Sequence, residues 1–240
     1  MNDLLQLAIE AAGGLETWNK LNTVSAHISG GGALWDMKGQ SGVLNDVNIN
    51  VKLREQWASH LPFIQADWHT SVTADRAAIE DKDGKIIKEL KDPRASFKGH
   101  KLETPWTDVQ LAYFAGYAMW TYFNTTFAFV QPGFKVEEIA NWQEDGETWR
   151  RLKVTFPDNI ATHSKEQVFY YDSEGWLRRH DYDVEIAANA GAAHYLYDFE
   201  EFDGIVVPIR QRIYVRQADN KPLLPEPVLV KLDFTKVKFS

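Results

Sequence analysis

The second half of the chain alternates between two kinds of side chain with a period of two, which is typical of β-strands. His180, Tyr182 and Val184 alternate with the acidic residues that follow each of them. The stretch 209–216 alternates arginine and tyrosine with mostly apolar residues. Because successive side chains of a strand point to opposite faces of a sheet, this pattern predicts strands with two chemically different faces.

Short acidic–glycine pairs separate the alternating stretches. They stand at 83–84, 145–146, 174–175 and 203–204, and residues 218–221 form a fifth turn of similar character. Glycine and asparagine tolerate the positive φ that tight hairpin turns require. The sequence therefore predicts antiparallel strands over 21–90 and 134–240. Residues 162–216 are expected to form one continuous meander, less regular near 189–191.

Two segments have helical patterns instead. Residues 1–20 read as an amphipathic helix, with Leu4, Leu5 and Ile9 on one face. The segment 92–130 is predicted to be an insertion with a short helix over 93–100 and a longer one over 106–123, because prolines and threonines provide start signals. No repeat or linker divides these parts, so residues 1–240 are predicted to form a single domain.

The inserted segment is unusually rich in aromatic residues. Between Trp106 and Phe129 stand nine aromatic rings and one charged residue, Asp108. The rings either form ordinary core or line a ligand cavity, and the sequence favours neither. The ligand-binding hypothesis rests on Tyr113, Tyr117, Trp120 and Phe123 of the helix, on Trp35, Trp57 and Trp68 as an opposite wall in the first-half strands, and on Arg210 and Arg212.

A dense group of ionisable residues lies in the C-terminal meander. His180 or His194 could act as a general base if a carboxylate such as Asp198 oriented it across the sheet. Asp181 cannot pair with His180, because neighbouring residues of a strand point to opposite faces. The competing interpretation is a solvated ladder of ion pairs. The test that separates them is whether at least one histidine is buried beside an apolar cavity.

Other candidate motifs are weak. His163 and His69 lack a third residue at metal-ligand spacing, so no metal site is predicted. The run Gly30-Gly31-Gly32 has no phosphate-binding pattern and no helix is expected after it, so it predicts a bulge or bend in a strand. A G-x-S-x-G nucleophile motif is absent from the sequence.

Composition narrows the classes of function further. The 240-residue chain has a formal net charge of −8 and a pI near 5.4. Nucleic acids and anionic membranes attract basic surfaces, so this charge argues against both as partners. No cysteine is present, which excludes disulfides and thiolate catalysis. No cofactor is predicted; the expected partner is a small hydrophobic molecule, and any protein partner is unknown.

The N-terminal segment lacks the basic region and apolar run of an export signal, so a cytoplasmic location is expected. The longest apolar run, 111–120, is shorter than the ~20 residues that a bilayer span needs. Stable membrane insertion is therefore not expected.

The order of these elements resembles the bacterial lipoprotein carriers of the LolA/LolB type. The resemblance rests on the N-terminal helix, the turn with Gly13, Gly14 and Trp18, the long antiparallel meander and the inserted helical pair. It implies an open half-barrel covered by helices, around a cavity that holds acyl chains. Unlike those carriers, this chain has no cysteine for a lipid anchor. Three segments also resemble a widespread family of bacterial proteins that implies no activity: THSKEQVFYYD at 162–172, LRRHDY at 177–182 and AAHYLYDFEEFDGIVVP at 192–208.

Together these observations predict a mainly β protein, a single antiparallel half-barrel covered by an N-terminal helix and an aromatic helix. The favoured function is binding of a small hydrophobic or amphipathic ligand between sheet and helices. The main alternative is a cofactor-free cyclase, isomerase or dehydratase that uses a His/Asp pair. A third class is a structural or partner-binding protein whose own side chains fill the interior.

Overall fold

A computed structural model describes residues 2–240. Thirteen antiparallel strands form one open sheet. In chain order they are β1 (Thr23–Gly31), β2 (Asp46–Lys52), β3 (Trp57–Leu61), β4 (His69–Val72), β5 (Arg76–Glu80), β6 (Ile86–Lys91), β7 (Lys135–Glu144), β8 (Glu147–Thr155), β9 (Glu166–Tyr171), β10 (Leu177–Val184), β11 (Ala190–Phe202), β12 (Ile205–Val215) and β13 (Val228–Phe239).

Almost every strand pairs with its neighbour in sequence. The exception is β1, which pairs with both β2 and β13 and so joins the two halves of the meander. Strands β6 and β7 are the two edges, so the sheet does not close into a barrel. The predicted mainly β half-barrel is confirmed. The 162–216 meander is also as predicted, apart from a single 3-10 turn at Glu185–Ala187.

The hairpin turns follow from local chemistry. Asp145 and Gly146 both have positive φ, of 50° and 83°, and Asp203 and Gly204 have φ of 52° and 82°. Two successive positive φ values are the mark of the two-residue turn that suits the right-handed twist of antiparallel strands. The acidic–glycine pairs therefore place the reversals where the sequence predicts them.

The N-terminal segment is two helices rather than the predicted single one, and Met1 lies outside the described residues. Helix α1 spans Asp3–Ala11, and the Asn2 side chain caps it by accepting from the Leu5 backbone N–H at 2.8 Å. Helix α2 spans Gly14–Trp18. The break falls at Gly13, whose φ is 116° and whose backbone touches the Gly204 carbonyl so closely that a Cβ would clash. Helix formation cannot continue through that conformation.

A short helix, α3 (Ala33–Met37), directly follows the glycine run and was not predicted. Strand β1 ends at Gly31, and Gly32 has a φ of 120° with its backbone against Leu229 and Val230 of β13. A side chain at that position would clash with the neighbouring strand. The expected bulge is therefore a strand end, and Trp35 lies on α3 rather than on a strand.

The aromatic segment forms α4 (Asp108–Asn124), close to the predicted 106–123. Thr107 and Gln110 cap it reciprocally, because each side chain accepts from the other's backbone N–H. Fifteen of its 17 residues are buried, so it lies inside the curved sheet instead of resting on it. Gly116 lets it approach Val72 of β4, since a Cβ there would be 2.6 Å from that side chain. The second predicted helix, 93–100, is a 3-10 helix over Pro93–Phe97.

Among residues 2–240, no helix has the length and hydrophobicity needed to cross a membrane.

Candidate functional site: an apolar cavity beside a buried histidine cluster

A cavity of about 290 Å³ lies between the sheet, α3 and α4. Strands from both halves of the sheet contribute to its wall, together with loops near Leu102 and Pro227. None of the lining residues is Asp, Glu, Lys or Arg. The principal lining residues from the helices are Leu34, Trp35, Met37, Phe114, Ala115, Ala118, Met119 and Tyr122, and those from the strands include Ile28, Val47, His60, Tyr182, Ala192, Ile213, Val230 and Leu232.

Helix α4 lines the cavity with a different face from the one the sequence suggested. Tyr113, Tyr117 and Trp120 do not line it. Trp120 instead donates its indole N–H to the Glu55 carbonyl at 2.9 Å, and Tyr113 borders a polar groove on the other side of the helix. The cavity face carries Phe114, Ala115, Ala118, Met119 and Tyr122, in which small residues leave the space.

Phe123, the fourth predicted ring of this helix, packs edge-on against Phe234 and Phe239 of β13. It contributes to a smaller pocket of about 70 Å³ between α1 and the end of α4. It does not line the main cavity.

Of the three predicted tryptophans, the structure brings only Trp35 to the cavity. Its indole N–H donates to the Gly31 carbonyl at 3.0 Å, which fixes the ring against Phe114. Trp57 lies on the opposite face of β3, where its indole N–H donates to Ser71 at 3.1 Å. Trp68 packs partly buried at the margin of the core. The opposite wall therefore comes mainly from aliphatic residues.

Next to the cavity, three buried histidines form a cluster with two tyrosines: His180, His194 and Tyr182 lie on strands, His163 lies in the loop before β9, and Tyr122 lies on α4. Tyr122 Oη lies 3.0 Å from His163 Nε2 and 3.0 Å from Tyr182 Oη, and both tyrosines also line the cavity. The His163 and Tyr182 rings stack at 3.9 Å, and the His180 and His194 rings are 5.9 Å apart. The alternation of β10 places His180 and Tyr182 on the same inner face.

Glutamine amides hold two of these rings. His180 Nε2 lies 2.6 Å from the side-chain oxygen of Gln167, and His194 Nε2 lies 2.9 Å from that of Gln211. The Gln167 amide nitrogen donates to Thr162 and Ser164, so its oxygen is the atom that faces His180. An amide oxygen only accepts, and both histidines therefore carry their proton on Nε2.

Burial keeps the cluster uncharged. It lowers the pKa of His194 to about 3 and holds the pKa values of His163 and His180 well below their ordinary range, where their histidine neighbours add to the effect. Burial likewise raises the pKa of Tyr122 and Tyr182. At neutral pH the inner face therefore presents neutral rings and hydroxyls.

The predicted pairing of His180 or His194 with Asp198 is wrong. Asp198 has a positive φ of 54°, forms no residue pair with β12, and is exposed to solvent. There it pairs with Arg210, with exposures of 53% and 42%. Among residues 2–240, no carboxylate hydrogen-bonds to His163, His180 or His194. The structure thus lacks the dyad on which the enzyme hypothesis depended.

Arg210 and Arg212, proposed as ligand-orienting residues, also face away from the cavity. Arg212 pairs with Asp233 of β13 at 2.8 Å. Arg210 lies over the Tyr197 ring in addition to its pair with Asp198. This outer surface does resemble the ladder of exposed ion pairs that the sequence suggested as the alternative.

One part of the outer face is different, because it is buried. Arg179 is fully buried and forms a two-pronged pair with Asp181, at 2.7 and 2.8 Å. It also donates to Glu144 at 2.8 Å and to the Asn220 carbonyl at 2.5 Å. Burial by itself lowers the pKa of this guanidinium, but the Asp181 carboxylate outweighs it, so the pKa is raised. Neither predicted interpretation included this buried charge cluster.

Several inner-face residues of the cluster were not predicted from the sequence. Tyr122, Tyr182, Gln167 and Gln211 received no role, although each stands at an inward position of α4 or of an alternating strand. His163 was considered only as a metal ligand. A polar residue in register with apolar ones on the inward face of a strand was the available signal, because such residues need a buried partner.

Several solved structures have a fold similar to that of this chain. No protein-family model matches this chain, and no curated protein matches its sequence. A DUF1329 family protein from Desulfovibrio piger superimposes with a TM-score of 0.56 at 10% identity, covering 99% of this chain and 92% of that one. A LolA superfamily protein from Nitrosomonas europaea gives 0.54 at 11%, covering 98% and 93%.

A third structure, from Vibrio parahaemolyticus, is provisionally described as an outer membrane lipoprotein-sorting protein domain. It gives a TM-score of 0.54 at 10% identity, with 98% and 93% of the two chains covered. These likenesses establish a LolA-like half-barrel fold for this chain. Identities this low carry no activity with them. The resemblance of segments 162–172, 177–182 and 192–208 to a bacterial family stays a prediction.

Proposed function

We propose that this protein binds a small hydrophobic or amphipathic molecule in the cavity between the sheet, α3 and α4. The observation that carries the proposal is the cavity's lining, in which apolar side chains surround about 290 Å³ and no charged side chain takes part. A densely packed interior does not retain a space of this size without cost, because cavities destabilise a core in proportion to their volume.

Size and chemistry together limit the ligand. An apolar cavity of about 150 Å³ is sufficient to bind benzene, and drug-sized ligands occupy about 300 Å³ or more. This cavity therefore suits a compact molecule or one short chain. Burial of apolar surface, at about 25 cal/mol for each Å² removed from water, would provide most of the binding free energy.

The fold supports the same class of ligand. The Vibrio parahaemolyticus structure with this architecture is described in terms of lipoprotein sorting, and the sequence resemblance to LolA/LolB carriers implies acyl chains. In that architecture the concave side of the open sheet is the place where a hydrophobic molecule would lie. The present cavity occupies that side.

The test is fluorescence titration with an uncharged hydrophobic probe, using a variant that fills the cavity. Ala118→Leu adds three carbons where α4 lines the space, and it should weaken probe binding by about tenfold or more because the added volume competes with the probe. Ala140→Leu makes the same change at an exposed position on β7 and should bind like the parent. Melting curves establish that both variants fold. Equal binding by the parent and a folded Ala118→Leu variant would contradict the proposal.

A further inference from the structure

Two polar side chains of the cavity lining, His60 and Trp106, have unused hydrogen-bonding capacity, and the unpartnered Trp106 indole N–H is buried within the wall. His60 lies on the inner face of β3, is 1% exposed and lines the cavity. Thr70 of β4 is its partner: Thr70 Oγ1 accepts from the His60 backbone N–H at 2.9 Å and lies 3.3 Å from His60 Nδ1. The other ring nitrogen, Nε2, has no hydrogen bond within residues 2–240.

The Thr70 hydroxyl determines which nitrogen carries the proton. Its oxygen already accepts from the His60 backbone, and among the described residues its hydrogen has no acceptor other than His60 Nδ1. Because buried hydroxyls donate wherever an acceptor is available, Nδ1 accepts and the ring proton resides on Nε2. Nε2 is not among the polar atoms sealed inside the core, so it is accessible from the cavity that His60 lines.

The cavity offers no charge to complement an ionised ligand. Burial lowers the pKa of His60 to about 4, so the ring is neutral at physiological pH. Lys38 is a cation close to the cavity wall, with its Nζ 4.7 Å from the centroid of the Trp106 ring. It does not line the cavity, and its ammonium group donates to the carbonyls of Leu102 and Thr104. A carboxylate placed here would lose its water without gaining a cation.

We infer that the ligand is an uncharged amphiphile, such as an ester, ketone or alcohol, whose oxygen accepts a hydrogen bond from His60 Nε2–H. This inference rests on the proposed function and specifies its ligand class. The apolar body fills the space lined by α4, and the His60 donor selects the orientation. An anionic amphiphile of the same length is excluded by charge, and a plain hydrocarbon binds less tightly because it leaves the donor unsatisfied.

The experiment displaces an uncharged fluorescent probe with four compounds that share one chain: methyl decanoate, decanol, decanoate and decane, at about pH 7. Methyl decanoate and decanol should displace the probe about tenfold more effectively than decanoate, since the ionised carboxyl stays in water. They should also exceed decane by about three- to tenfold, which is the effect of one hydrogen bond.

A substitution isolates the donor. His60→Phe keeps a ring of similar shape and removes Nε2–H, so the advantage of methyl decanoate over decane should disappear while decane binding stays. His69→Phe is the matched control, because His69 lies on the outer side of β4, 3.5 Å from Glu80, and does not line the cavity. If His60→Phe does not fold, the four-compound series on the parent protein still decides.

The possible outcomes distinguish a failure of the inference about ligand class from a failure of the proposed function. If decanoate binds as well as the ester, or the ester has no advantage over decane, the inference about ligand class is overturned while the hydrophobic cavity stands. If none of the four compounds displaces the probe and the probe itself does not bind, the proposed function fails and the inference with it. The predicted order, lost in His60→Phe and kept in His69→Phe, supports both.

Discussion

The two faces of strand β10 handle buried polar groups in opposite ways. On the inner face, His180 is buried as a neutral ring held by the amide of Gln167. One residue away on the outer face, Arg179 is buried as a cation, paired with Asp181 and Glu144. Successive residues of one strand therefore share the same backbone and the same degree of burial but differ in charge.

The difference shows what burial demands. A buried group is either discharged or matched by an opposite charge with several hydrogen bonds. The inner face faces the cavity, and keeping it neutral leaves the site suited to an uncharged ligand. On the outer face, the charged cluster connects the β7–β8 hairpin through Glu144 and the loop before β13 through Asn220. The inner face borders the cavity, and the outer face holds the sheet's second half together.

Lowering the pH should reduce the free energy of unfolding through the buried histidines of the inner face, and this is the largest expected effect. The pKa is lowered to about 4 for His60 and about 3 for His194, and is held well below its usual range for His163 and His180. In the unfolded chain each titrates near ~6.5, so below that pH the unfolded state binds more protons and stability falls. Each pH unit lost costs about 1.4 kcal/mol per histidine until its folded pKa is reached.

Chemical denaturation at pH 7.5, 6.5 and 5.5 measures this dependence. The free energy of unfolding should fall by about 1 kcal/mol between the first two values and by about 4 kcal/mol between the second and the third. In His60→Phe one of the four contributions is missing, so the slope should be smaller in that variant. A flat stability profile from pH 6.5 to 5.5 would show that these rings are not buried as neutral groups.

Removing one member of the outer cluster should have the next largest effect. Asp181→Asn leaves the buried Arg179 cation with Glu144 as its remaining carboxylate, and loss of one partner of a buried pair costs about 3 kcal/mol or more. Asp183→Asn is the matched control on the same strand, because its pair with Arg216 is half-exposed. Urea denaturation should show a large loss of stability for the first variant and little for the second. Equal losses would mean that the cluster is not buried in solution.

How far the sequence could predict this molecule depends on how local each feature is. Strands and hairpins follow from side-chain alternation and from positive-φ turns at Asp145-Gly146 and Asp203-Gly204, which involve only neighbouring residues. The break between α1 and α2 could not be predicted in that way. It depends on Gly13 meeting the Gly204 carbonyl, a contact between residues far apart in the chain.

For a related reason, the sequence could not predict which face of α4 lines the cavity. A helix buried on nearly all sides has no amphipathic pattern, so ring density indicates burial but not direction. Tyr113, Tyr117 and Trp120 pack against protein, while Ala115 and Ala118 leave the space. Small residues create a cavity as much as large ones enclose it, and only the packed structure shows which residues border the space.

The histidine cluster was half predictable. Alternation correctly separates His180 from Asp181, and both His180 and His194 are buried beside the cavity, as the sequence analysis proposed for at least one of them. The prediction that a carboxylate orients these histidines was wrong, because glutamine amides hold the rings. Asp198, which has a positive φ, pairs with the half-exposed Arg210 and not with a histidine.

The smallest expected effect concerns Asp198 itself, which the sequence made a catalytic candidate. It and Arg210 pair across β11 and β12 at 2.5 Å, but both side chains are about half exposed. Water and salt screen such a pair, and either group hydrates readily when the other is removed. The Asp198→Asn variant should therefore have the same melting temperature as the parent and bind the uncharged probe with the same affinity. His194→Leu, on the same strand but the inner face, should melt at a lower temperature, because it leaves the Gln211 amide oxygen buried without its donor. If Asp198→Asn instead melted at a lower temperature while His194→Leu melted like the parent, the assignment of the two faces would have to be exchanged.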